Sequence, residues 1–191
     1  MRISGGESKG RTLKSPGHKG LRPTSDKVRE ALFSILAAKV PDASFLELFA
    51  GTGAVGLEAL SRGAARSVFV DGSGKAARLI RENLETLGYR DRAAVVVKEV
   101  AGFLKKDAAG MGPFDIVFVD PPYHDEAGPK ALESLGEVRT DGMLSEDACV
   151  VYEHHKKYPT PERVGILTKK KEYMYGDTAL SLYVTECTSD S

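Results

Sequence analysis

Apolar residues follow two alternating rhythms along this chain. Short runs of consecutive apolar positions, the mark of strands buried on both faces, predict strands at 44–49, 67–70, 93–97, 114–119 and 148–152. Between them apolar residues return every three or four positions, predicting helices at 54–62, 75–87, near 101–106 and near 130–135. Strands alternating with helices imply a parallel sheet covered on both faces. Ahead of the first strand, Val28, Ala31, Leu32, Ile35 and Leu36 recur at helical spacing, with Thr24 or Ser25 placed to cap the first turn, and that helix ends before Pro41. At the far end, 166–173 and 178–185 flank Gly176-Asp177 as the arms of an antiparallel hairpin. Residues 2–23 are rich in Gly, Lys, Ser and Pro with only short β-like pieces, so they read as a small hairpin or arm outside the core. The expected organisation is an arm over 1–24 and one domain over 25–191, since 191 residues supply one substantial core.

The apolar runs stay far below the ~20 residues of a membrane-spanning helix. The opening residues also lack the apolar stretch of a secretory signal. A soluble, cytoplasmic protein with no membrane partner is the expectation. Cys149 and Cys187 are too few for a disulfide framework or a four-ligand metal site, and His154 and His155, adjacent on a strand end, point to opposite faces, so no metal is expected. The formal net charge is zero, but residues 1–30 hold eight Lys or Arg against three acids, and the rest of the chain offsets that excess. A basic arm on an acidic body suits phosphate contact, through Arg2, Arg11, Lys19, Arg22 and Thr24. Charge alone fits a solvated N-terminus equally well.

The first strand runs into Gly51-Thr52-Gly53-Ala54-Val55-Gly56, a glycine turn that opens a helix and lets a ligand approach the backbone closely. Taken literally this is the dinucleotide-binding spacing, and Asp71 stands where a ribose-binding acid belongs, so a nicotinamide oxidoreductase is permitted. Two features oppose it. Glu47, inside the strand just ahead of the glycines, would repel a pyrophosphate but can face the amino-acid end of a sulfonium cofactor. The second is Asp120-Pro121-Pro122-Tyr123, which ends the fourth strand and has no part in hydride transfer. Asp71 also reads as a helix-capping acid ahead of Gly72-Ser73-Gly74, and Glu99, after the third strand, either meets the adenine end of the same cofactor or is a surface carboxylate.

The proline tetrapeptide suits attack by an exocyclic amine of guanine or adenine. That nitrogen is a poor nucleophile until acceptors hold its hydrogens, and Asp120 and the Pro121 carbonyl can supply them. Pro121 and Pro122 stiffen the loop, and Tyr123 can stack on an extruded base.

With both motifs in place the chain resembles the Rossmann-like amino-methyltransferases, whose signature is [Asn/Asp/Ser]-Pro-Pro-[Tyr/Phe/Trp]. Within that class it resembles the RsmD family of 16S rRNA guanine-N2 methyltransferases. The most particular match is the N-terminal stretch Arg2-Ile3-Ser4-Gly5-Gly6, Gly10-Arg11-x-Leu13 and Arg22-Pro23-Thr24-Ser25-Asp26-Lys27-Val28-Arg29-Glu30-Ala31-Leu32-Phe33. The resemblance implies an α/β fold with a mostly parallel seven-stranded sheet, order 3-2-1-4-5-7-6, and S-adenosylmethionine held by Glu47, Phe49, Gly51, Gly53, Asp71, Glu99 and Asp120. It also implies catalysis at Asp120, Pro121, Pro122 and Tyr123, and a monomer acting on 16S rRNA in a small ribosomal subunit or assembly intermediate. Two departures stand out: Glu99 replaces the family's Asp, and Gly72-Ser73-Gly74 opens a helix where charged residues are common. Adenine-N6 methylation and a non-catalytic RNA-binding assembly factor are the remaining alternatives.

Overall fold

The computed structural model describes residues 1–15, 26–122, 126–137 and 142–186, and within them the strands fall where the apolar runs place them. β1 (Ser44–Leu48), β2 (Arg66–Asp71), β3 (Ala93–Val97), β4 (Phe114–Val119) and β5 (Leu144–His155) are parallel. β7 (Leu167–Tyr175) and β8 (Thr178–Thr185) form the antiparallel hairpin, joined to β5 through β8, and the two-residue β6 (Arg163–Val164) closes the edge. The sheet is eight-stranded, in the order β3-β2-β1-β4-β5-β8-β7-β6. The seven expected strands keep their order, and the correction is the added β6, too short to leave a periodic signal. β5 outruns its apolar stretch because β8 pairs with it as far as His155↔Thr178, satisfying the backbone of polar residues too.

Side chains alternate across the sheet, so Leu46 and Leu48 of β1 join one core and Phe45 joins another on the opposite face. The first core is covered by α4 (Val100–Lys106), the single turn α5 (Ala108–Met111) and α6 (Ala127–Glu137). The second face is covered by α1 (Asp26–Ile35), α2 (Ala54–Ser61) and α3 (Gly74–Leu87). No helix among the described residues is long and apolar enough to cross a membrane.

All eight residues of α2 are buried, because the sheet covers one side and the N-terminal segment the other. The expected hairpin is present as an Arg2↔Thr12 bridge, but it is no appendage. Ile3 and Leu13 are both buried beside Leu57, Leu60, Ile80 and Leu84. Ser8 Oγ lies 2.6 Å from the Tyr89 hydroxyl, and Asn83 exchanges two hydrogen bonds with the Lys14 backbone. The basic excess read in this region also shrinks. Arg29 is fully buried, donating from Nε to Glu58 at 2.6 Å and from Nη2 to the Arg2 carbonyl at 2.6 Å, and it pairs with Asp26 at 2.9 Å. Glu58 also accepts from Arg62 and Ser4. Burial works to raise the Glu58 carboxyl, but hydrogen bonds from Ser4, Arg62 and Arg29 outweigh it and hold the group below the usual carboxylate range.

Candidate active site

Parallel register brings the predicted acids together. Glu47 of β1 lies opposite Phe69 of β2 and Phe118 of β4. Two residues further along, Asp71 and Asp120 therefore share the sheet face of Glu47, at the carboxyl ends of the strands and on the side of α2. Glu47 is 3 % exposed, and its Oε2 accepts the Gly56 N–H at 2.8 Å. Burial pushes its carboxyl up to about 8. Backbone N–H groups of Gly56 and Val55 act against that rise, and the negative charges of Asp120 and Asp71 add to it. Carboxylates 24 and 73 residues away from Glu47 in sequence thus share its electrostatic field.

The loop between β1 and α2 carries three left-handed residues, Phe49 (φ 58°), Gly51 (φ 51°) and Gly53 (φ 71°). For Phe49 that conformation costs about 1–2 kcal/mol. Asp71 braces the loop: Oδ2 accepts the Gly51 N–H and Oδ1 the Ser73 N–H, both at 2.8 Å. The cap of α3 is Ser73, whose Oγ accepts the Ala76 N–H at 3.3 Å, so Asp71 is not the helix-capping residue, and each of its oxygens keeps a second lone pair for a ligand. Gly56 answers a packing demand, because a Cβ there would meet Phe69 Cε1 at 2.5 Å, Ser67 Oγ at 2.6 Å and Glu47 Oε2 at 2.8 Å. In a dinucleotide-binding fold the helix amides at this point receive a pyrophosphate. Here the Glu47 carboxylate fills that position, so the nicotinamide reading has no phosphate site.

Asp120 follows β4 with its N–H directed to the Leu48 carbonyl at 3.5 Å, and Pro121 is buried while Pro122 is exposed. Glu99 is exposed at the start of α4, and its Oε1 would lie 2.4 Å from a Cβ on Gly72. The two departures from the family pattern thus fit one another, the longer acid occupying space that a side chain at 72 would need. Tyr123, Lys19, Arg22, Thr24 and Ser25, the last two being the expected capping candidates, lie outside the described residues. Arg2 and Arg11 are exposed, bonded to the carbonyls of Gly10 and Thr86. Because α3 runs back from Ser73 at the site end, Thr86 sits about 20 Å along it from the carboxylates, so Arg11 is not part of this cluster. One feature left no signal in the sequence: the Arg29–Glu58 pair, which joins distant segments.

This strand order, with Glu47, Asp71 and Asp120 gathered at the ends of β1, β2 and β4, is that of a Rossmann-like methyltransferase fold. The family model described as Conserved hypothetical protein 95 matches residues 1–184, and the chain belongs to this family, the RsmD family. It is 36% identical to Ribosomal RNA small subunit methyltransferase D of Escherichia coli K12, over 100% of this chain and 93% of that protein. It is also 36% identical to YlbH of Bacillus subtilis, over 96% and 98% of the two chains. The solved structure of yhhF from Escherichia coli superposes with a TM-score of 0.84 at 34% identity, covering 97% of this chain and 98% of that one.

Proposed function

We propose that the chain transfers a methyl group from S-adenosylmethionine to the exocyclic N2 amine of a guanine in small-subunit ribosomal RNA. The observation that carries the reading is Glu47 seated on the α2 amides with Asp71 and Asp120 beside it. The negative charges of Asp71 and Asp120 disfavour a pyrophosphate and favour a cationic ligand without phosphates, and Glu47 occupies the α2 amides that a phosphate would need. S-adenosylmethionine fits that description and supplies an electrophilic methyl on a sulfonium. Glu47, Phe49, Gly51 and Gly53 would hold its amino-acid end, Asp71 its ribose and Glu99 its adenine.

The residues of the chain prepare the nucleophile. Asp120 and the Pro121 carbonyl accept the amine hydrogens and free its lone pair, and Asp120 receives the proton that the methylated amine sheds. Pro121 and Pro122 keep both acceptors aimed, and Tyr123 stacks on the extruded base. The RNA substrate is supported by the name of the Escherichia coli relative, and guanine over adenine by the N-terminal motif. Arg2, Arg11, Lys19, Arg22 and Thr24 are assigned to RNA contact outside the reacting centre, within a small subunit or assembly intermediate and with the protein a monomer.

Purified protein and methyl-labelled S-adenosylmethionine are incubated with small-subunit particles from a strain lacking the enzyme, and the RNA is digested to nucleosides. Label in N2-methylguanosine is expected. Label in N6-methyladenosine transfers the reading to adenine, and no label rejects methyl transfer. Asp120→Ala is expected to lower kcat by about 10²–10³ while leaving RNA affinity intact, which a non-catalytic assembly factor would not show.

A further inference from the structure

The turn that follows β5 carries positive charge and an exposed aromatic ring. Among the described residues Tyr158 is the one exposed Tyr or Phe, at 53 %. Its ring packs edge-to-face with His155, centroids 5.9 Å apart. Backbone bonds fix the turn: the Tyr158 N–H donates to the His155 carbonyl at 2.9 Å and the Lys157 N–H to His155 Nδ1 at 3.1 Å. Lys156 and Lys157 are exposed on it. Asp177, at the tip of the β7–β8 hairpin, pairs with Lys156 at 2.9 Å. That bond and the Lys156 charge, then positive charge on His155 and Lys157, hold the Asp177 carboxyl below the usual carboxylate range. Two lysines thus face one acid, leaving an excess of positive charge beside the ring.

Register puts this turn at the rim of the site. Cys149 and Val151 of β5 belong to the core on the α1 and α2 face, so Glu153 and His155 point to that face as well. Ile116 and Phe118 of β4 place Asp120 on the same face. Val119 pairs with Tyr152, so Asp120 falls in the row of Glu153, and His155 stands one strand over and two residues, roughly 7 Å, further out. Tyr175 of β7, in the row of Thr178 and His155, packs on this face too and extends the aromatic surface away from Asp120. Arg11, by contrast, is bonded at the far end of α3.

We propose that the turn 155–158 is a contact surface for the RNA strand flanking the target nucleotide, with Lys157 on a phosphate and the Tyr158 ring stacked on an unpaired base. A ring stacks on any base, and a cation beside it neutralises the adjoining phosphate, which is the pairing that a single strand requires. Lys156 is committed to Asp177, so Lys157 supplies the phosphate contact. A base seated at Asp120 has its neighbours pass over this rim, on the face that Asp120 and His155 share. The surface rests on the RNA substrate given under the proposed function and adds a contact that neither the reacting centre nor the N-terminal segment provides.

The test compares wild type, Tyr158→Ala, Tyr158→Phe, Lys157→Ala and, as a control on α4 of the opposite face, Lys105→Ala. Affinity for protein-free small-subunit rRNA is measured over a series of salt concentrations, with S-adenosylhomocysteine affinity by calorimetry and melting temperature alongside. Tyr158→Ala is expected to weaken RNA binding about tenfold with its salt slope kept, and Tyr158→Phe, which retains the ring, to bind as wild type does. Lys157→Ala is expected to weaken binding and lower the salt slope by about one unit. Lys105→Ala should change neither, and all variants should keep wild-type melting temperature and cofactor-site affinity. Wild-type RNA affinity in Tyr158→Ala or in Lys157→Ala overturns the surface. So does an equal loss in Lys105→Ala, which would trace the effect to overall charge, or a melting temperature that falls together with RNA affinity. Variants that bind protein-free rRNA normally but small-subunit particles poorly would assign the turn to a ribosomal protein and overturn it as well. Absence of RNA binding by the wild type would instead sink the functional reading on which the surface rests.

Discussion

A buried carboxylate facing two other carboxylates is costly to ionise, and Glu47 carries that cost at the centre of the site. With its carboxyl at about 8 in the folded chain against 4.5 as the ordinary value, the folded state keeps a proton that the unfolded state releases. The contribution to stability is therefore fully present below about pH 4.5, is lost as pH rises towards about 8, and is gone above it. Glu47→Gln retains an oxygen for the Gly56 N–H and removes the titration. Thermal melts from about pH 4 to about pH 9 should show the variant gaining on wild type across this window, by on the order of a few kcal/mol at its upper end. A difference that stays constant with pH would mean that Glu47 is ionised throughout. The same substitution should weaken S-adenosylmethionine binding only above about pH 8, where wild-type Glu47 is ionised, and leave it near the wild-type value below that. At this scale much of the site was legible: Glu47, Asp71 and Asp120 each sit at a strand end beside glycine or proline. Their convergence was not, because register between β1, β2 and β4 is a property of the sheet and not of any local window.

At the scale of elements, β3 and β4 lie at their expected boundaries because each is an apolar run closed by polar, glycine or proline residues. β5 begins earlier than its apolar stretch, since Leu144 pairs with Phe114 ahead of a register shift and the intervening Ser145, Glu146 and Asp147 read as loop. α5 escaped notice because four residues containing Gly110 carry no helical period. The junction of α1, α2 and the N-terminal segment was invisible for another reason: Arg29 counts as one surface charge among eight until the fold places Glu58 against it. Breaking one partner of a buried pair leaves an uncompensated charge, at about 3–5 kcal/mol. Glu58→Gln should lower urea stability by that order, because Arg29 stays buried and Ser4 and Arg62 lose a charged acceptor. Asp26→Ala, which removes the exposed partner of the same arginine, should cost no more than about 1 kcal/mol. Equal losses in the two variants would show that Arg29 is held by packing and not by charge.

For the whole molecule the question is whether the first fifteen residues are cargo or structure. A basic flexible arm would leave stability unchanged when removed and would act only through phosphates. Instead Ile3 and Leu13 close the outer side of α2 and α3, the Glu7 N–H bonds to the Ser61 carbonyl, and the Arg2 carbonyl caps the Arg29 guanidinium. Full burial of each large aliphatic side chain contributes about 1.5–3 kcal/mol, so deleting residues 1–15 should remove several kcal/mol and shift the urea midpoint well down. Lys9 and Arg11, exposed on the same segment, allow the two roles to be separated. Lys9→Ala with Arg11→Ala should leave stability within about 0.5 kcal/mol per site. If these cations meet phosphates, the pair should also weaken RNA binding and flatten its salt dependence by about one unit of slope per lost phosphate contact. Together these outcomes would make the segment a structural wall whose outer surface meets RNA. A truncated chain that melts like the intact one would mean instead that the packing of Ile3 and Leu13 adds nothing to the core they cover.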